Sequence, residues 1–246
     1  MKQVISYSLY GSQPRFLVGA IKNAQLAQRF FPGFTVRYYY GRSVPNWVLS
    51  TLILFDDVEL IKVEDEENSI SRTWRFMACL DTDVDVVLSR DVDARLSLRE
   101  AEAHQEFMES DYNFHIIRDH PTGHGFTISA GMFAMKTQAY GNLMHKKLLA
   151  EEFTDQYMAD QNFMSQKIYP HIKDDCLVHD PYYDFEPADK KRTIKRKPPS
   201  TLSHIGCAVD ENDVYFYAED RSNAMLETGH VTYIYDWGKG EDTNNR

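Results

Sequence analysis

Apolar residues along this chain switch between two periods, and the switches mark out its elements. Residues 4–9 (VISYSL) read as a strand, broken by Gly11 and Pro14. Phe16, Leu17, Ala20, Ile21, Ala24, Ala27 and Phe31 then recur at helical spacing, and Pro32-Gly33 stops the run. FTVRYYY (34–40) and VELIKV (58–63) predict two more strands, with a short helix in VPNWVLSTLILF (44–55) between them. A helix over SRTWRFMACL (71–80) leads to a strand in VDVVLS (84–89). Ser97 and Glu100 form an S-x-x-E capping box, so a helix should begin there. NFHIIRD (113–119) and ISAGMFAMK (128–136) read as strands, and residues 138–153 and 155–168 as helices.

Strand and helix alternate through the first hundred residues. That order predicts an α/β fold: a single Rossmann-like domain with a mostly parallel central sheet and helices on both faces. Ligands of such folds bind beyond the carboxyl ends of the strands. The domain is expected to span residues 1–210, with residues 211–246 as a C-terminal extension ending in a disordered tail, GKGEDTNNR. Residues 209–237 give no clear pattern, and no internal repeat is visible. The basic run DKKRTIKRKPP (189–199) predicts a loop, either solvated or folding over a bound anion.

Composition narrows the function. The chain is 43% hydrophobic and 26% charged, as in ordinary globular proteins. Its net charge of -10 argues against nucleic-acid binding, which needs a basic footprint. Three cysteines, Cys79, Cys176 and Cys207, fit no metal-ligand spacing and read as reduced and buried. No signal peptide and no apolar run of membrane-spanning length is visible, so a cytoplasmic location is expected.

The candidate chemistry sits at the end of the VDVVLS strand, where Asp91 and Asp93 flank one valine. Side chains two apart on an extended chain point the same way. Two carboxylates held close repel unless a cation lies between them. A hard divalent ion, Mn2+ or Mg2+, would take one or two carboxylates and fill its remaining positions with phosphate oxygens and water. D-x-D also occurs by chance in solvated turns; its place after a buried strand is what gives it weight.

RTWRFMACLDTDVDVVLSRDVDARL resembles the D-x-D region of GT-A fold glycosyltransferases. It is similar to the glycogenin and lipopolysaccharide-galactosyltransferase type, and to small sugar-transfer domains of bacterial and large-virus polysaccharide assembly. The motif order covers roughly residues 1–210, although Ser89-Arg90 stands where that family's pair follows Leu or Tyr. The resemblance implies a metal-dependent transfer of sugar from a nucleotide diphosphate, UDP by default, to a glycan or other hydroxyl acceptor. It implies Asp91, Asp93 and His204 (in SHIG) as metal ligands, with Gly206 letting the backbone approach the phosphates. It places the donor over Ser6, Leu9, Tyr10 and Gly11 at the first strand's end, with Arg75 and Asp91 beside the diphosphate. Asp160 and Gln161, in DQNFMSQK, would face the sugar.

HIIRDHPTGHG (115–125) gathers Asp119, His120 and His124 in one short loop. Asp119, His120 and Asp160 are the candidate general bases for an inverting reaction; a retaining one needs none. Three rivals stand beside this reading. A sugar-nucleotide nucleotidyltransferase would share the sheet and a metal-binding Asp, but its Gly-rich first loop is poorly copied by YGSQPRF. A phosphatase-like hydrolase would use Asp91 as nucleophile. A sugar-binding module would need no metal-dependent nucleotide binding.

Overall fold

The computed structural model describes residues 1–120, 124–194 and 204–214. Eight strands form one sheet: β1 (Gln3–Leu9), β2 (Thr35–Tyr40), β3 (Val58–Lys62), β4 (Val86–Arg90), β5 (Phe114–Ile117), β6 (Met132–Lys136), β7 (Cys176–His179) and β8 (Lys191–Arg192). Their order is β3-β2-β1-β4-β6-β5-β7-β8. Only β6, wedged between β4 and β5, runs antiparallel to its neighbours. Every other pairing is parallel.

Helices cover both faces, as the alternation predicts. On one face lie α1 (Pro14–Phe30), α2 (Asn46–Leu52) and α3 (Leu98–Met108). On the other lie a 3-10 helix (Ser69–Leu80), α4 (Thr137–Ala150) and the short α5 (Ala159–Phe163). A π-helical turn, Met164–Ile168, links α5 to α6 (Tyr169–Ile172). Two apolar cores result. Ile5, Tyr7 and Leu9 pack toward α1 and α2, while Val4, Phe76, Phe133 and Phe163 pack on the opposite side. The period-2 alternation of β1 thus sends Ser6 and Ser8 toward the 3-10 helix.

Several expectations change in detail. The SRTWRFMACL helix is 3-10 and starts earlier, capped by Asn68, whose Oδ1 accepts from Ile70 N at 2.8 Å. Ser97 does cap α3, accepting from Glu100 N at 3.3 Å, but the Glu100 carboxylate pairs with Arg90, so only half of the capping box forms. Lys191–Arg192 of the basic run pairs with β7 as an edge strand and is not loop; residues 195–199 lie outside the described residues, as does the tail. The 210/211 boundary falls inside a turn, where Asp213 N donates to Asp210 O at 3.1 Å. Asp213 is tied to Arg95 at 2.8 Å and to Lys22 at 2.7 Å. All three cysteines are free and buried. Among the described residues, no helix is long and apolar enough to cross a membrane.

Candidate active site

The site grows from the carboxyl end of β4. All five β4 residues are buried, and the strand stops at Arg90, whose guanidinium pairs with Glu100 and donates to Phe133 O at 2.9 Å. Asp91 follows. The chain does not continue extended, as the same-direction argument assumed; it turns, with Ala94 N donating to Asp91 O at 3.2 Å. The two carboxylates therefore meet different partners. Asp91 Oδ1 accepts from Arg75 Nη1 at 2.5 Å. Asp93 sits deeper and lies 3.8 Å from Arg15 of α1. Burial, then the charge of Asp91, pushes the Asp93 carboxyl up to about 6, against the pull of Arg15.

Asn23 of α1, fully buried, fixes this turn. Its Nδ2 donates to Val92 O at 3.0 Å and Ala94 O at 2.8 Å, and its Oδ1 accepts from Leu96 N at 3.1 Å. Gly19, one helical turn earlier, lets α1 approach: a Cβ there would lie 2.4 Å from Val92 O. Behind the turn, Ala94 bridges Ala208 and Val209 N donates to Asp93 O at 2.9 Å, so the 204–214 segment is the floor of the D-x-D loop.

Arg75 organises the opposite wall. Its Nη2 donates to Asp160 Oδ2 at 2.6 Å, so one buried guanidinium spans Asp91 and Asp160. Met158, in the left-handed region at φ 72, turns the chain so that Asp160 and Gln161 enter the interior. Gln161 Oε1 accepts from Ala130 N at 2.9 Å, and its Nε2 donates to Ile128 O, tying α5 to the approach to β6. Tyr10 stands edge-on to Trp74 at 5.7 Å. Burial raises its hydroxyl's pKa, which Arg72, Arg75, Asp160 and Asp91 also influence.

Ser6 and Leu9 depart from the donor-binding expectation. Both are fully buried. The Ser6 hydroxyl donates to Arg75 O at 2.7 Å, so it anchors the 3-10 helix, and Leu9 belongs to the core beneath α1. Gly11 keeps its place at the strand end in the left-handed region at φ 77. Its N–H donates to Ser43 Oγ at 2.7 Å and to Glu67 at 3.3 Å.

His204 is brought to a second cluster. Its ring lies 4.5 Å from that of His120 and 5.2 Å from that of His124. Burial holds His120 down at about 4 and His124 at about 3, and it keeps His204 well below its ordinary value with help from both neighbours. His124 Nδ1 accepts from Asp119 N at 2.9 Å, which leaves the proton on its Nε2. Asp119 is clamped by Arg99 at 2.7 and 2.9 Å and by Ile205 N at 2.8 Å. Burial pushes its carboxyl up, and Arg99 offsets part of that shift. This bonding makes Asp119 an anchor for the 204–206 segment and engages the oxygens a general base would use. Gly206, at φ 82, packs against Met132, whose Sδ would lie 1.9 Å from an added Cβ; in this structure the space that Gly206 leaves open is filled by that side chain.

Among the described residues, no group of three or more His, Cys, Asp and Glu side chains is placed to hold a metal ion. Asp91 and Asp93 nonetheless suit one: two neighbouring carboxylates, one raised by burial and by the other's charge, are relieved by a cation.

Fold and site together define an open α/β protein with acidic residues at the carboxyl end of a central strand, next to the point where antiparallel β6 interrupts the sheet. The chain has the GT-A fold. It is similar to the galactosyltransferase LgtC solved with donor and acceptor sugar analogues, at 13% identity and a TM-score of 0.52, over 92% of this chain and 96% of that one. Looser likenesses join it to a glycosyltransferase involved in the glycosylation of the major capsid of PBCV-1 (18% identity, TM-score 0.47, 74% of this chain and 82% of that one). Another is to a 4-diphosphocytidyl-2C-methyl-D-erythritol synthase from Anaerococcus prevotii (12% identity, TM-score 0.48, 72% and 85%). No family model and no curated protein matches the chain by sequence.

Proposed function

We propose that this protein is a glycosyltransferase that moves a sugar from a nucleotide diphosphate, UDP by default, to a hydroxyl of a glycan or similar acceptor. The observation that carries the reading is the Asp91–Asp93 pair: it lies just beyond β4 of a GT-A fold, with the Asp93 carboxyl raised to about 6 by burial and its neighbour. Asp91 and Asp93 would hold a Mn2+ or Mg2+ ion, which would supply Lewis-acid stabilisation for charge on a departing diphosphate.

The chain's own residues do the positioning. Arg75 holds Asp91 and Asp160 at fixed separation, so the diphosphate end and the sugar end of the site are set by one side chain. Gln161, bonded to the backbone at 128 and 130, keeps Asp160 from rotating away. Tyr10 offers a partly exposed ring at the end of β1 for the nucleobase. His120, kept neutral by burial, is the acceptor-side group able to take a proton, with His204 in the same cluster.

The test is release of nucleoside diphosphate from UDP- and GDP-sugars with Mn2+, against the same reaction in excess chelator. We expect turnover that chelator abolishes and that Asp93→Ala lowers by roughly a hundredfold. Formation of a nucleotide sugar from sugar phosphate and a nucleoside triphosphate would instead establish the nucleotidyltransferase.

A further inference from the structure

Arg72 stands three residues before Arg75 on the 3-10 helix. With three residues per turn, side chains at i and i+3 eclipse, so both arginines leave the helix on the same side, about 6 Å apart along its axis. In an α-helix they would diverge by about 60°. The Ser8 hydroxyl donates to Arg72 O and accepts from Arg75 N, each at 3.0 Å, and so inserts itself where the helix's own i to i+3 bond would run.

The two guanidiniums differ in what they hold. Arg75 carries two carboxylates. Arg72 makes no ion pair among the described residues; it lies 5.2 Å over the ring of Tyr157, and its Nη1 is buried with no hydrogen-bond partner. Asp155, whose carboxyl is lowered mainly by its bonds to Ser69 and only in small part by the Arg72 charge, already accepts from Ser69 N at 2.9 Å. A buried charged donor left unbonded destabilises the fold until a partner satisfies it. A planar fork in that condition, beside Tyr10 and one turn from the residue that spans the site, is ready for a pair of anionic oxygens.

We infer that Arg72 docks an anionic group of the nucleotide-sugar donor, either the diphosphate or a carboxylate on the transferred sugar. The inference rests on the donor reading above and adds a residue and a ligand chemistry to it. Binding of UDP, UDP-glucose and UDP-glucuronate, with GDP and GDP-mannose as the guanine counterparts, is measured by calorimetry in Mn2+ for the native protein, Arg72→Gln and Arg72→Lys. Ligand-free melting curves report whether each variant folds. If the diphosphate is the target, Arg72→Gln weakens every bound nucleotide at least tenfold, and Arg72→Lys, a point charge without the fork, recovers only part. If a sugar carboxylate is the target, only UDP-glucuronate loses affinity. Should Arg72→Gln fail to fold, the same pattern, smaller, is read from Arg72→Lys. Equal affinities in the native protein and both variants overturn the inference and leave the donor reading intact. No nucleotide binding by the native protein overturns both.

Discussion

Gly131 leaves the space that Asp91 occupies. A Cβ on Gly131 would lie 2.0 Å from Asp91 Oδ2, so the carboxylate stands where no other residue's side chain would allow it. The contact joins the start of β6 to the end of β4, strands that are antiparallel neighbours. Gly131→Ala should displace Asp91, and with it the Arg75 bridge, while the sheet persists. We expect Mn2+ affinity, titrated by calorimetry, to fall at least tenfold, with a small change in melting temperature. Unchanged affinity would show that Asp91 does not hold the ion.

Arg75 is buried between Asp91 and Asp160, and removing it leaves the buried Asp160 carboxylate without its cation. Arg75→Met should cost about 3 kcal/mol of unfolding free energy in urea. Adding Asp160→Asn should restore part of that loss, because the stranded charge is gone. If the double variant is as unstable as the sum of the singles, the two residues are not coupled.

Asn23 makes three buried hydrogen bonds to the turn that carries the carboxylates. Asn23→Ala strands two carbonyls and one amide, a loss of roughly 2–3 kcal/mol. Activity in excess Mn2+ should fall further than stability alone explains, since Asp93 is in this turn. Urea unfolding together with turnover well below the melting temperature separates the two effects.

A buried histidine makes the fold sensitive to acid. His104 of α3, packed among Phe31, Phe34 and Phe107, is held by burial at about 3 against an ordinary value of 6.5, with Arg90 adding to the shift. It stays neutral in the fold, whereas the unfolded chain takes up a proton below 6.5. Its contribution is therefore complete above pH 6.5 and lost as pH falls toward 3, about 2 kcal/mol of it by pH 5. His115, lowered by burial and by His179, acts in the same direction. Urea unfolding at pH 7.5 and pH 5 should show the drop, and His104→Gln should shrink it. A pH-independent midpoint in the native protein would contradict this account.

Much of the scaffold was legible in the chain. The alternation of strand and helix placed β1 through β4 and their helices, because each buries a face whose period is written locally. The D-x-D pair stood out because two acids directly after a buried strand are unusual. Ser6 was misread as a donor contact because a small hydroxyl at a strand end looks the same whether it meets a ligand or a helix. The anchoring of the 69–80 helix to β1 was hidden because Ser8, which bonds Arg72 O, lies more than sixty residues away. Asn23, Gly19 and Gly131 carried no signal, since each matters only through a partner on another element.

The sequence by itself determined the sheet's parallel half, the two-faced burial of its strands and the position of Asp91 and Asp93 at a strand's carboxyl end. These follow from hydrophobic period and chain order, which are local properties. Only the tertiary structure decided which groups those carboxylates meet, that Arg75 binds Asp160 as well as Asp91, and that His204 joins His120 and His124. Such pairings depend on how elements far apart in the chain pack against one another, and no local pattern encodes the distance between them.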